Sequence, residues 1–231
     1  MERARIFCVA GIDTDIGKTI ATGLIARGIA ERGVTVITQK GVQTGCDGFS
    51  EDIATHRRLM RTPLLAEDRA GLTCQYLFRP PCSPHLAARR AAETIAPETM
   101  TAAAERLQKT YEVVLFEGAG GLFVPLTEEV LFIDYLARVR WPVLLVTSSR
   151  LGSINHTLAA LEGLARRKIA LAGVVYNCDP QTDPRIAEDS LAVMGRYLDK
   201  YDFSCPIVEM HRAASYQQPG SCRHLASLCG V

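Results

Sequence analysis

The 231-residue sequence has no excess of either charge: 26 Lys and Arg stand against 25 Asp and Glu, a formal net charge of +1 at pH 7. No nucleic-acid surface or acidic tail is therefore expected, and an anionic ligand has to be met by local groups. Eight cysteines are present, at 8, 46, 74, 82, 178, 205, 222 and 229, but they form no C-x-x-C pair and no zinc-finger framework. Several lie in apolar runs and read as reduced packing residues. No apolar stretch approaches the length of a membrane span, and strand-like residues begin within five of Met1, leaving no room for a secretory leader. A soluble cytoplasmic protein, with neither membrane nor nucleic acid as partner, is expected. A Gly-x-Ser-x-Gly elbow and a His-Glu-x-x-His helix are also missing, which weakens hydrolase and zinc-enzyme readings. With low-complexity tracts absent and 48% hydrophobic content, residues 1–231 can bury a sizeable core as one domain.

Short β-branched runs alternate with longer stretches of helical period. Strands are predicted at Ile6–Ala10, Val34–Thr38, Val113–Phe116, Val143–Val146 and Leu171–Tyr176, and helices at Lys18–Glu31, Glu51–Arg61, Asn155–Arg167 and Pro184–Lys200. The alternation predicts an α/β fold: a mostly parallel central sheet with helices on both faces. Val113–Phe116 and Val143–Val146 lack polar alternation, as central strands covered on both sides do. The stretch from Leu64 to Pro84 reads as irregular, with Pro80-Pro81 and Pro84 marking a long excursion beside the site. Ligands of such sheets bind at the carboxyl ends of the strands, where Gly11–Thr19, Lys40–Gly45, Glu117–Gly121, Ser148–Gly152 and Asn177 should converge.

Gly11-Ile-Asp-Thr-Asp-Ile-Gly-Lys-Thr19 sits between a predicted strand and a predicted helix, where backbone N–H groups and the helix N-terminus grip phosphate. Lys18 can reach β/γ-phosphate and the Thr19 hydroxyl can hold Mg²⁺. The spacing departs from the general pattern, because five residues rather than four separate Gly11 from Gly17. Glu117 ends an apolar strand ahead of Gly118-Ala-Gly-Gly121 and is read as a Mg²⁺ ligand. Asp52, in Ser50-Glu-Asp52, opens a helix and on its own reads as a cap. Lys40 follows a strand in Gln39-Lys-Gly-Val-Gln-Thr-Gly45, and serves equally as a surface lysine or as a second ammonium at the phosphates. Two lysines and a magnesium around one γ-phosphate suit phosphoryl transfer. His85 and His156 read as hydrogen-bonded structural histidines.

Taken together, the segments resemble the dethiobiotin synthetases, a P-loop NTPase family. The loop is similar to that family's Gly-Thr-Asp-Thr-x-Val-Gly-Lys-Thr, including the five-residue gap. Lys40-Gly-Val-Gln-Thr-Gly45 resembles Lys-Pro-Val-x-x-Ser/Thr-Gly, and Cys82-Ser-Pro-His85 resembles Ser-Pro-His. Glu117-Gly-Ala-Gly-Gly-Leu-Phe-Val-Pro-Leu126 is similar to Glu-Gly-Ala-Gly-Gly-x-x-x-Pro-Leu, and Leu151-Gly-Ser-Ile-Asn-His156 to Leu-Gly-x-Ile-Asn-His. The resemblance implies ATP-dependent ring closure of 7,8-diaminononanoate with CO₂, through a phosphorylated carbamate, to dethiobiotin, ADP and phosphate. It implies that Lys18 and Lys40 stabilise phosphoryl transfer, and that Thr19, Asp52 and Glu117 hold Mg²⁺. ATP would be met by Asp15, Ile16, Gly17, Lys18, Thr19, Ile20, Asp52, Glu117, Gly118, Ala119 and Gly120, with Asn177 at the base. Thr14, Lys40, Thr44, Gly121, Leu151 and Asn155 would meet the substrate, its acid tail bound across a homodimer interface.

Departures are Gly41 in place of Pro, which loosens the backbone beside Lys40, and Asp15 where Glu is common. Ile207-Val-Glu-Met-His211 lacks the family's Ile-Pro turn, and residues 221–231 are not distinctive. The rival reading is a P-loop ATPase switch of the partition or targeting type, which controls dimerisation or partner binding. Such loops carry Lys where this chain has Asp13, which argues against it. A cobyrinate-type amidotransferase is a second rival, disfavoured by the small size of the chain.

Overall fold

The computed structural model describes residues 5–231, so residues 1–4 of the expected 1–231 domain lie outside the described residues. Seven strands run β1 Arg5–Gly11, β2 Val36–Thr44, β3 Cys74–Phe78, β4 Val113–Glu117, β5 Val143–Ser148, β6 Leu171–Asn177 and β7 Ile207–Met210. They form one sheet in the order β3-β2-β4-β1-β5-β6-β7, with every pairing parallel. The helices are α1 Lys18–Ala30, α2 Glu51–Met60, α3 Ala66–Arg69, α4 Pro84–Arg90, α5 Pro97–Gln108, α6 Phe132–Val139, α7 Ser153–Arg166, α8 Pro184–Lys200 and α9 Arg223–Ala226. None of the described helices is long and apolar enough to cross a membrane.

The unbroken apolar strands are explained by two cores, one on each face. Ile6, Cys8 and Ala10 of β1 pack with Val114 and Phe116 of β4 and with α4, α5, α6 and α7. Phe7 and Val9 point the other way, with Val113 and Leu115, onto α1 and α9. A strand buried on both faces carries no polar position, as expected when crossover helices cover a parallel sheet on both sides. All eight cysteines are free, and Cys8, Cys46, Cys222 and Cys229 are buried, in keeping with their reading as packing residues.

Three differences from the sequence reading matter for the site. The second strand runs to Thr44 instead of stopping at Thr38, so Lys40 lies within it, paired to Glu117 on one side and Cys74 on the other. The stretch read as irregular contains α3 and the edge strand β3, both too short for their periodicity to register. A seventh strand, Ile207–Met210, follows the one expected to be last. The chain end is also integrated: Arg5 donates to the Cys229 carbonyl (2.7 Å), and a side chain at Gly28 would overlap the Cys222 carbonyl.

Candidate active site

The five expected segments converge at the carboxyl edge of the sheet. Gly17 ends the glycine loop at φ 95°, a left-handed conformation suited to glycine, and a Cβ there would meet Asn177 Nδ2 at 2.6 Å and Met210 Cε at 3.4 Å. Helix α1 then begins at Lys18 with no acidic residue in its first turn, so its N-terminus keeps its positive field. Lys18 Nζ donates to the Asp13 carbonyl (2.7 Å), and Asn177 Nδ2 donates to the Ile16 carbonyl (2.8 Å). The loop is thereby held at both ends. Asp13 adds an outer tie: its carboxylate accepts from Arg150 Nη2 (2.8 Å) and lies 3.6 Å from His156 Nδ1.

A cavity of about 420 Å³ opens over this loop, lined by Thr14, Gly17, Lys18, Thr19, Lys40 and Glu117, with Asp15, Ile20, Val42, Gln43, Thr44, Asp52, Ala119 and Gly120 completing the wall. Thr14, Asp15, Thr44, Ala119 and Gly120 also line an adjoining cavity of about 570 Å³, closed by Pro81–Pro84 and Val124. The proline-rich excursion therefore flanks the site, as its sequence suggested. Gly118 is buried at the carboxyl end of β4, and Gly121 approaches the backbone of Ile12. Leu151 and Asn155 stand apart from both cavities: Leu151 is 99% exposed and Asn155 is exposed.

At the floor of the first cavity, Thr19 Oγ1 lies 3.1 Å from Asp52 Oδ1 and 3.0 Å from Glu117 Oε1. Lys40 Nζ bridges the same carboxylates, 2.5 Å from Asp52 Oδ2 and 2.7 Å from Glu117 Oε1. Burial alone would lower Lys40, but Glu117 and Asp52 outweigh it and hold its ammonium above the usual lysine range. Burial would likewise raise Glu117, yet Lys40 and His56 hold its carboxyl well below the usual range. Lys18 goes the other way: burial, then repulsion from Lys40, lowers it to about 8.

Asp52 is not the cap of α2. Ser50 is, accepting from the Ile53 N–H (3.2 Å), and Gln43 Oε1 accepts from both Ser50 Oγ (2.8 Å) and the Asp52 N–H (3.3 Å). Asp52 is thus released to face the site. One helical turn on, His56 Nε2 donates to Glu117 Oε2 (2.7 Å), and its Nδ1 lies 3.0 Å from Thr38 Oγ1. Arg57 donates to that threonine oxygen (2.9 Å) and forks onto Asp68 at 2.8 Å through both Nε and Nη2. The sequence reading missed Gln43, Ser50, His56 and Arg57. The available signal was the four-residue step from Asp52 to His56, which puts both on one helix face.

A glycine loop leading into a helix N-terminus, with a Lys-Thr pair, a carboxylate at a strand end (Glu117) and another in the first turn of α2 (Asp52), defines a P-loop nucleotide-binding α/β protein. In agreement, a family model described as AAA domain matches residues 5–214. The fold is similar to a ParA family ATPase from Chlorobium tepidum TLS (TM-score 0.53, 14% identity, 98% of this chain and 92% of that one). It is also similar to the signal recognition particle receptor FtsY from Elizabethkingia anophelis (TM-score 0.53, 14% identity, 99% and 66%). Sequence similarity is much higher to the ATP-dependent dethiobiotin synthetase BioD 2 of Pasteurella multocida, 48% identical over 86% of this chain and 93% of that protein. The ATP-dependent dethiobiotin synthetase BioD of Chlorobaculum tepidum is 47% identical over 96% of this chain and 94% of that protein. The chain belongs to the ATP-dependent dethiobiotin synthetase family.

Proposed function

We propose that residues 1–231 act as one catalytic domain that closes 7,8-diaminononanoate and CO₂ into dethiobiotin at the expense of ATP, giving ADP and phosphate. The carrying observation is the meeting of two lysines, a threonine and two carboxylates where the phosphate loop opens into a second cavity. Family membership supports the reaction and its use of ATP. The low-identity likeness to ATPases of other kinds concerns the fold alone.

The donor set of Thr19, Asp52 and Glu117 is all hard oxygen, which suits Mg²⁺ and not a softer ion. These residues would hold it, and its charge would offset that of the β- and γ-phosphates. The backbone of Asp15–Gly17 and of Gly118–Gly120, with Lys18, Thr19 and Ile20, would cradle the phosphates, and Asn177 would meet the base. Thr14, Thr44 and Gly121 would orient the diamine and its carbamate. The carbamate oxygen attacks γ-phosphorus and ADP leaves; the second amine then attacks the carbamate carbon and expels phosphate. Lys18 and Lys40 neutralise charge on the transferred oxygens, so no protein nucleophile is needed. Leu151, with Asn155 close by, supports a homodimer in which each partner binds the acid tail of the other's substrate. The cytoplasm is the proposed location.

The test is to incubate purified protein with ATP, Mg²⁺, bicarbonate and 7,8-diaminononanoate. Dethiobiotin formed in step with ADP supports the proposal; ATP hydrolysis without it, stimulated by a protein partner, overturns it.

A further inference from the structure

Away from the phosphates, the ends of β6 and β7 bring a thiol, a carboxylate and an imidazole to one point. The Cys178 N–H donates to the Met210 carbonyl (2.8 Å), which extends the parallel ladder one residue past Asn177. Alternation then sorts the side chains. Asn177 and Met210 face Gly17 of the phosphate loop, while Cys178, Glu209 and His211 share the opposite face, the one on which Tyr176 reaches the Ala187 carbonyl of α8. The thiol of Cys178 donates to Glu209 Oε2 at 3.4 Å. One ligand atom from each of Cys178, Glu209 and His211 lies within 4.8 Å of the other two.

The geometry points to a binding site for one borderline-soft divalent ion, of the Zn²⁺ or Co²⁺ class, on Cys178 Sγ, a Glu209 carboxylate oxygen and a His211 ring nitrogen. Tetrahedral coordination at ordinary bond lengths sets neighbouring donors roughly 3.4–3.6 Å apart. The Cys178–Glu209 pair is already at 3.4 Å. Glu209 and His211 are exposed, so the remaining closure needs side-chain rotation and not movement of the sheet. A sulfur and an imidazole ligand select against Mg²⁺, which separates this site from the oxygen-only set at Thr19, Asp52 and Glu117. The three protein ligands leave a fourth position for water. The sequence hides the trio, because thirty residues separate Cys178 from Glu209 and only the β6–β7 pairing unites them.

Chelator-treated full-length protein is titrated with Co²⁺ in the absence of nucleotide. A thiolate-to-cobalt charge-transfer band should saturate at one ion per chain, be displaced by Zn²⁺ and be indifferent to Mg²⁺. Cys178→Ser should abolish it and Cys82→Ser should leave it. Glu209→Gln and His211→Ala keep every cysteine, and each should weaken binding at least about tenfold, with far-ultraviolet circular dichroism unchanged. Absence of the band at one equivalent, its survival in Cys178→Ser, or unchanged affinity in either ligand variant would overturn the assignment.

Discussion

His56 donates from Nε2 to Glu117 Oε2 across 2.7 Å with both side chains fully buried. A carboxylate only accepts, so Nε2 carries a proton, and Nδ1 pairs with the Thr38 hydroxyl at 3.0 Å. Asp68, Arg57, Thr38 and His56 thus form a chain that ends on the carboxylate proposed to hold Mg²⁺. His56→Ala should reduce turnover roughly 10–100-fold, as loss of a ligand's hydrogen-bond partner does. It should cost about 1–3 kcal/mol of stability for the unsatisfied buried groups. His56→Gln, which retains an N–H donor, should recover part of the loss. A titration of rate against Mg²⁺ separates the roles: a positioning residue raises the Mg²⁺ requirement, whereas a merely structural one lowers active protein without shifting it.

Lys40→Gln removes the ammonium that bridges Asp52 and Glu117. Turnover should fall by about 10²–10³, the range for loss of one transition-state donor, while nucleotide still binds through the loop. Stability should change in a pH-dependent way. Glu117 is held low in the folded state, so its contribution exists above its unfolded pKa and is lost as pH falls through the folded one. Without Lys40 the folded pKa rises, and acid unfolding followed by circular dichroism should shift to higher pH. Normal turnover in this variant would remove Lys40 from the mechanism.

Lys18 makes the opposite prediction. Its folded pKa, lowered to about 8, means that the unliganded protein carries a destabilising charge below that pH and is relieved of it as pH rises from about 8 towards 10.5. Bound phosphate reverses the sign by favouring the ammonium. ATP binding near pH 8 should therefore take up protons, and affinity should be flat below that pH and weaken above it. Calorimetry in buffers of different ionisation enthalpy measures the uptake directly; none at pH 8 would show that Lys18 is already fully charged in the unliganded loop.

The fold was legible because its central strands are apolar on both faces: Val113–Phe116 and Val143–Val146 admit no one-sided sheet. The edge strand β3 was not, since its residues are mostly half-buried and its neighbours are prolines and a single-turn helix. At the site, residues within motifs could be read, because backbone spacing fixes where Lys18, Thr19 and Glu117 go. Those that act by supporting a neighbour could not. Gln43 sets the start of α2 from another strand, and Arg57 reaches Thr38 across the helix–sheet boundary. Such contacts exist only after the layers pack.

Gly41 illustrates how local inference fails. Read alone, it loosens the chain beside Lys40; in the sheet it is buried inside β2, and a Cβ there would overlap Cζ of Phe116. That ring has little freedom to retreat, packed against Phe132 (centroids 6.5 Å) and Trp141 (5.3 Å). Gly41→Ala should cost about 1–3 kcal/mol by overpacking. Combined with Phe116→Leu, the penalty should be partly relieved, with a coupling of about 0.5–3 kcal/mol in a denaturant double-mutant cycle. Simple additivity would mean that the backbone and not the ring constrains this position.

Leu151, at 99% exposure, is the most solvent-exposed of the large apolar side chains that stand out on the described surface. If the proposed symmetric dimer covers it, two copies are buried per interface, each worth about 1.5–3 kcal/mol. Leu151→Glu should then weaken dimerisation by about 10²–10⁴, at 1.4 kcal/mol per tenfold. Sedimentation velocity should find monomer at concentrations where the unaltered chain is dimeric. Because the tail of the substrate is proposed to reach into the partner, specific activity of the variant should rise with protein concentration, and the KM for the diamine should rise before kcat falls. A variant of unchanged mass and unchanged KM would place the interface, and the tail-binding surface with it, elsewhere on the molecule.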